Sequence, residues 1–235
     1  MKNKESFTYR RYRDNKDKIW LVRGGLIIAT FLAVYFIITN LNSPWSLGIS
    51  ALSIIILAII SRADKLLEKL SWRNCRTWGK GAGAELAVGN SLEKLGSDYQ
   101  LIHNLDMGHG DIDNLCIGPT GIFVVETKAN SGTISYSDKL LINGRESKDK
   151  DFIGQVWHEI DYTRKTLKQK FGRHYFVNGI LEFPNAKVDQ SVNSPKQGIW
   201  IGGAGFANYM IKRSQPCLSP EEIKNISDFF KNNKK

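Results

Sequence analysis

The sequence predicts an α/β domain with a mixed sheet, preceded by an N-terminal two-helix transmembrane hairpin. Three observations predict it. Residues 24–61 hold no charged side chain, a run of 38 positions. The rest of the chain alternates helical and extended patterns in the order helix, strands, helix, strand, strand, helix, as an α/β domain does. Two apolar stretches meet at Gly118-Pro119-Thr120-Gly121, a turn-forming segment that predicts an antiparallel hairpin.

The uncharged run comes first in the chain. A membrane helix needs about 20 apolar residues. The run therefore suits two short spans, Gly24 to Thr39 and Trp45 to Ile60, joined by an external turn at Asn40-Leu41-Asn42-Ser43-Pro44. A cleaved signal peptide is disfavoured by the long basic leader and by the second apolar run. A buried core hairpin is disfavoured by the scarcity of polar positions at helical spacing.

Charge sharpens the reading. Residues 1–23 carry eight basic and three acidic side chains, a net of +5, and residues 61–80 carry six and two, a net of +4. These flanks hold +9 of the total +10, and residues 81–235, with 19 basic and 18 acidic side chains, hold the remaining +1. The high isoelectric point thus belongs to the membrane flanks and is no argument for nucleic acid. Basic flanks stay on the cytoplasmic side. The expectation is a multi-pass protein of the cell membrane, contacting the lipid bilayer through residues 24–61, with both termini and the folded domain cytoplasmic. The same flanks attract anionic lipid head groups. Cys75, Cys116 and Cys217 are too few and too scattered for a disulfide framework or a metal-ligand pattern.

Beyond the run, residues 62–79 form a basic connector, and Gly79, Gly81 and Gly83 mark the entry to the domain. A helix is expected from Ala84 to Leu95 with Gly96 as its C-cap. Tyr99 to Leu105 reads as a strand and Asp106 to Gly110 as a loop before the hairpin. Thr133 to Ser137 adds a short strand, and Asn143-Gly144 is a strong signal for a second hairpin. Phe152, Val156, Ile160 and Leu167 give the apolar stripe of a helix over Asp151 to Phe171. Tyr175 to Phe183 and Gly198 to Gly202 read as strands. Ser219-Pro220-Glu221-Glu222 is a capping box with proline in the first helical position, opening a last helix.

Chemistry concentrates on the hairpin. If Gly118 and Gly121 close the turn, Asp113 lies opposite Glu126 and Asp111 opposite Lys128, and period-two alternation sends all four to one face. Opposed side chains on a sheet have Cβ atoms about 5 Å apart, where like charges repel. Two carboxylates so placed make sense around a cation. Hard oxygen donors favour Mg²⁺ or Mn²⁺, and such an ion neutralises charge on a phosphate. The plain alternative is a cross-strand ion pair of Lys128 with Asp111, worth less than about 1 kcal/mol if exposed.

Three stretches together carry a resemblance: Gly81-Ala82-Gly83-Ala84-Glu85, Gly110-Asp111-Ile112-Asp113, and Ile117 through Lys128. Over roughly residues 80–190 the chain resembles the nuclease-related domain, NERD, of the restriction-endonuclease-like PD-(D/E)xK superfamily. The resemblance implies a restriction-endonuclease-like mixed central sheet flanked by helices, and a metal-dependent phosphodiesterase acting on nucleic acid, with DNA the expected substrate. It implies Glu85 as a helix-borne acid, Asp113 as main metal ligand, Glu126 as second ligand, Lys128 as catalytic lysine, and Gln155 as the glutamine of the following helix. Asn114 departs from the histidine common after the aspartate. Residues 191–235 are expected to complete the domain with a strand and a helix.

Arg164, Lys165, Lys168, Lys170 and Arg173 form a basic run at the end of the long helix. It reads either as a solvated face complementing the helix dipole or as a track for the phosphate backbone. His103, His109, His158 and His174 have no ligand spacing. Two functions compete: a membrane-anchored, Mg²⁺-dependent nuclease, and a membrane-tethered module that binds nucleic acid or protein without cutting. A scaffold held to lipid by its basic flanks is a third.

Overall fold

Helix takes in both the charged leader and the uncharged run among the described residues of the first part of the chain. The computed structural model describes residues 7–39, 46–146 and 151–232. The chain divides at Gly79: Thr8–Gly79 forms one compact unit, and Lys80–Lys235 forms the body of the other.

In the first unit, helix α1 spans Phe7–Thr39 and so takes in most of the basic leader as well as the expected first span. Its most apolar stretch has a mean hydropathy of 2.2 with none of it buried, and the helix is long and apolar enough to cross a bilayer. Its hydroxyls are satisfied within the helix: Thr30 Oγ1 donates to Leu26 O at 2.9 Å and Thr39 Oγ1 to Tyr35 O at 3.1 Å. That is how a polar side chain is tolerated away from water. Helix α2 spans Ser46–Leu92. The full two-span hairpin is not established. Among the described residues α1 alone passes as a candidate span, and the expected turn at 40–45 lies outside the described residues.

The chain divides at the first of the three glycines expected at the domain entry, but the helix expected to begin at Ala84 is the last part of α2, which runs through Gly79, Gly81 and Gly83. Each glycine costs a helix about 1 kcal/mol relative to alanine. The strong helix formers around them (Lys80, Ala82, Ala84, Glu85, Leu86) carry the helix on. At Gly79 a Cβ would stand 3.3 Å from the Tyr12 ring, so the missing side chain permits a close approach there. A 3₁₀ turn over Glu93–Leu95 follows, and Gly96, at φ 108°, ends it.

The second unit is built on two mixed sheets. The larger contains β1 (Gln100–Asp106), β2 (Asp111–Gly118), β3 (Gly121–Thr127), β7 (Val177–Glu182) and β9 (Ile199–Gly202), in that spatial order. The first three are antiparallel neighbours, while β3–β7 and β7–β9 run parallel. The smaller sheet contains β4 (Gly132–Tyr136), β5 (Leu140–Ile142), β6 (Arg145–Glu146) and β8 (Ala186–Val188), ordered β6-β5-β4-β8. Asn143 and Gly144 both have positive φ, 52° and 73°, as the tight turn between β5 and β6 requires.

Helix α3 (Phe152–Phe171) packs on β7 and β3. Asp151 caps it by accepting from Gly154 N at 2.8 Å, and Gly172, at φ 69°, closes it. One core lies between the sheet and α3, with Leu115, Ile117, Ile122 and Val124 meeting Phe152, Val156, Ile160 and Leu167. The other lies under the end of α2, where Val88 and Leu92 meet Cys116, Phe123 and Val125. Alternate hairpin residues supply the two cores, as a strand covered on both faces demands. Helix α5 (Pro220–Asn232) opens on the expected capping box, with Ser219 N and Oγ both donating to Glu222.

Helix α4 (Phe206–Arg213) and strand β8 were not expected. The N-terminus of α4 has no cap from its own sequence. The buried Glu182, from β7, accepts from Gly205 N at 2.8 Å and Ala207 N at 2.9 Å instead. No local pattern around residues 203–206 announces a helix capped from 23 positions away.

Candidate active site

The hairpin register places the acids. Gly118 pairs with Gly121 and Asn114 with Val125, so the ladder follows the expected register. It then stops short of Asp113. On the other side, His103 pairs with Asn114 and Leu105 with Ile112, so the ladder also omits Asn104, which takes the left-handed φ of 53°. Strand β2 is thus released from both neighbours at Asp113. The carboxylate replaces the missing ladder bond: Asp113 Oδ2 accepts from Thr127 N at 2.8 Å. Strict alternation also breaks here, since Ile112 and Leu115 enter the same core.

Glu126 follows on β3, 3% exposed. Lys128 stands just past the end of β3, its backbone N donating to Glu182 O at 2.9 Å. Its side chain turns back: Lys128 Nζ donates to Glu126 Oε1 at 2.5 Å and to Gln155 Oε1 at 2.8 Å, and lies 5.2 Å from the Phe152 ring centroid. Gln155, on the first turn of α3, donates from Nε2 to Glu126 Oε1 at 2.6 Å and to Glu159 Oε1 at 3.1 Å. One oxygen of Glu126 therefore receives both the lysine and the glutamine.

This corrects the expected pairing of Lys128 with Asp111. The β2–β3 ladder ends at Asn114–Val125, so Asp111 has no register partner on β3, and Lys128, beyond the last strand residue, reaches its own neighbour but one, Glu126. Asn114 is buried, and its Oδ1 lies 2.6 Å from His103 Nδ1, so the position that departs from the family pattern joins β2 to β1 rather than facing the acids.

Electrostatics ties four acids together. The Asp113 carboxyl is pushed well above the ordinary carboxylate range, first by burial and then by the charges of Glu126 and Glu85, while the Thr127 N–H and Lys128 pull the other way. Glu85, on the last part of α2, is thus close enough to repel Asp113. Glu159 is wholly buried, and its carboxyl is pushed up to about 9, first by burial and then by Glu126. Glu159 was missed in the sequence. The available signal was an acid on the buried stripe, at helical spacing from Phe152, Val156 and Thr163.

The residues present fit a small hard cation. Asp113 and Glu126 are the oxygen donors Mg²⁺ and Mn²⁺ prefer. Glu126 Oε2 is buried without a hydrogen-bond partner, and so is Glu159 Oε2. A bare buried carboxylate oxygen is costly unless a proton or a cation completes it. Among the described residues no three His, Cys, Asp or Glu side chains converge as a cage of protein ligands would. Mg²⁺ does not demand one, since it commonly keeps several waters and takes one or two carboxylates.

The basic run lies farther along α3. Arg164 donates to Val177 O at 3.2 Å and stacks between Trp157 and Phe176. Arg173 pairs with Glu222 at 2.7 Å and covers Tyr175, and Lys170 sits over Phe229. Lys165 and Lys168 are exposed. Of the histidines, His109, His158 and His174 are exposed. Cys75 and Cys116 are buried thiols, Cys217 an exposed one.

Comparison with known families covers the segment that holds these residues. Residues 80–184, a little under half of the chain, match the NERD family, described as nuclease-related domain. Every residue from Glu85 to Glu159 discussed above falls inside the match. The PD-(D/E)xK assignment is consistent with that family. No curated protein and no solved structure matches the chain.

Proposed function

We propose, from the match of residues 80–184 to the nuclease-related domain family, that the protein is a membrane-anchored, divalent-metal-dependent nuclease that hydrolyses phosphodiester bonds in DNA on the cytoplasmic side. One observation carries the reading: inside the matched segment, Lys128 and Gln155 anchor one oxygen of Glu126 and leave its other oxygen buried and bare.

A Mg²⁺ or Mn²⁺ held by Asp113 and Glu126 would supply charge neutralisation at the phosphate and a more acidic attacking water. The chain's own residues do the rest. The Thr127 N–H fixes Asp113 at the break in the ladder. Lys128 Nζ presents a positive charge whose position is set by Glu126, Gln155 and the Phe152 ring, ready to stabilise negative charge developing on a phosphoryl oxygen. Glu85 adds charge that strengthens the demand for a cation. Lys165 and Lys168, about 15–20 Å along α3 from Gln155, are placed for sequence-independent backbone contacts.

The anchor is α1 together with the apolar first part of α2. The basic residues flanking the apolar run keep the termini and the folded unit in the cytoplasm and meet anionic head groups.

The test is cleavage of linear, circular and single-stranded DNA, and of RNA, by the full chain with and without Mg²⁺. Cleavage that needs Mg²⁺ and disappears in Asp113→Ala and in Glu126→Ala supports the reading. Cleavage that survives both substitutions removes the site.

A further inference from the structure

Glu159 sits where an apolar side chain would serve the core better. It is wholly buried on the stripe that packs α3 against the sheet, and a buried carboxyl costs free energy that a leucine would not. Its Oε1 nevertheless receives the Gln155 amide, one helical turn away.

That contact fixes which way round the amide lies. Gln155 Nε2 faces two carboxylate oxygens, Glu126 Oε1 at 2.6 Å and Glu159 Oε1 at 3.1 Å. Its carbonyl oxygen is thereby turned toward Lys128 Nζ, at 2.8 Å. A flipped amide would set its oxygen against the Glu126 carboxylate and its NH₂ against the ammonium. Gln155 itself is exposed, with a flexible side chain that solvent alone would leave unfixed. Its two acceptors, Glu126 and Glu159, are both buried; Glu126 Oε1 is shared with Lys128, and Glu159 is the acceptor on the same helix.

We propose that Glu159 is a positioning residue for Lys128, acting through the Gln155 amide. Its value to catalysis rests on the nuclease reading; the positioning chain itself does not. Glu159 reaches no reacting atom. It holds the amide, the amide holds the ammonium, and the ammonium stands at the charge that catalysis develops.

The test reads Lys128 directly, without activity. The full chain in detergent micelles is acetylated with limiting acetic anhydride, and modification of Lys128 is measured by mass spectrometry against Lys165 and Lys168. Glu159→Met, which keeps the bulk but accepts no such bond, should raise Lys128 labelling severalfold. Glu159→Gln, which retains an acceptor, should stay at the wild-type level. Gln155→Ala should raise labelling as much as Glu159→Met, and the double variant should add nothing, because a residue acting only through Gln155 has no effect without it. Unchanged labelling in Glu159→Met, or a further rise in the double variant, overturns the proposal. A lowered melting temperature of Glu159→Met by circular dichroism marks a loosened fold, and Glu159→Gln then decides: wild-type labelling supports the anchor, and a severalfold rise at Lys128 overturns it. A wild-type chain that never cleaves with Mg²⁺ would remove the nuclease reading, while the labelling pattern would still decide the positioning chain.

Discussion

Lys128 and Gln155, 27 positions apart in sequence, are joined by a 2.8 Å hydrogen bond, and both donate to the same oxygen of Glu126. Strand β3 supplies the acid, the residue just past its end supplies the cation, and α3 supplies the amide. The site therefore depends on how closely α3 lies against the sheet.

That dependence predicts the effect of filling Gly179 on β7. A Cβ there would stand 2.7 Å from Val156 Cγ1, Ile160 Cδ1 and Ile199 Cδ1. Gly179→Ala should cost about 1–3 kcal/mol by overpacking and should also lower activity, because Val156 and Ile160 flank Glu159 on the helix that carries Gln155. Urea denaturation and a cleavage assay on one preparation check both effects. An alanine variant of wild-type stability would show that α3 does not press on the strand as described.

Lys128 carries the positive charge of the network. Lys128→Ala should lower cleavage by about 10²–10³-fold, the usual loss when a preorganised donor to developing charge is removed, and should leave Mn²⁺ binding in place. Kinetics and Mn²⁺ titration of the same variant separate these effects. Abolished metal binding would mean that the lysine maintains the site rather than acting in it.

Glu159 predicts how stability varies with pH in metal-free protein. Its carboxyl is pushed up to about 9 in the folded state, against about 4.3 in an unfolded chain. Between these values the folded state holds a proton that the unfolded state lacks. Its stabilising contribution is complete below about pH 4.3 and is lost progressively as pH rises to about 9. Relative to Glu159→Gln, which does not titrate, the wild type should therefore lose stability steadily over that window and no further above it. Melting temperatures of the pair from pH 4 to 10 check this; a constant difference would contradict it.

The proposed membrane anchor predicts a change of compartment. The full chain should remain with membranes through high-salt and carbonate washes, and a chain lacking residues 1–61 should appear in the soluble fraction. Fractionation with both forms checks it. A truncated chain that stays attached through the washes would contradict an anchor in the apolar run.

What the sequence made legible was local. The turn at Gly118–Gly121, the Asn143-Gly144 turn, the buried stripe of α3 and the Ser219–Glu222 capping box each depend on residues within a few positions of one another, and each is present. Features set by distant partners were not legible. Helix α4 is capped by Glu182 from another strand. Helix α2 continues through three glycines that local propensity would make a boundary. At the site, register alone put Asp111 against Lys128. It does not say that β3 ends at Thr127, so that a long flexible side chain beyond it folds back on Glu126. Glu159 escaped notice because one acid on an apolar stripe resembles an ordinary interruption until the Gln155 amide is seen against it.

Electron paramagnetic resonance of Mn²⁺ titrated into the full chain reads whether Asp113 and Glu126 share one divalent ion. Wild-type protein should take up one Mn²⁺ with loss of the free-ion signal, and Asp113→Asn and Glu126→Gln should each leave the ion free over the same range. Equal Mn²⁺ uptake by the wild type and both variants, or none by the wild type, would contradict it.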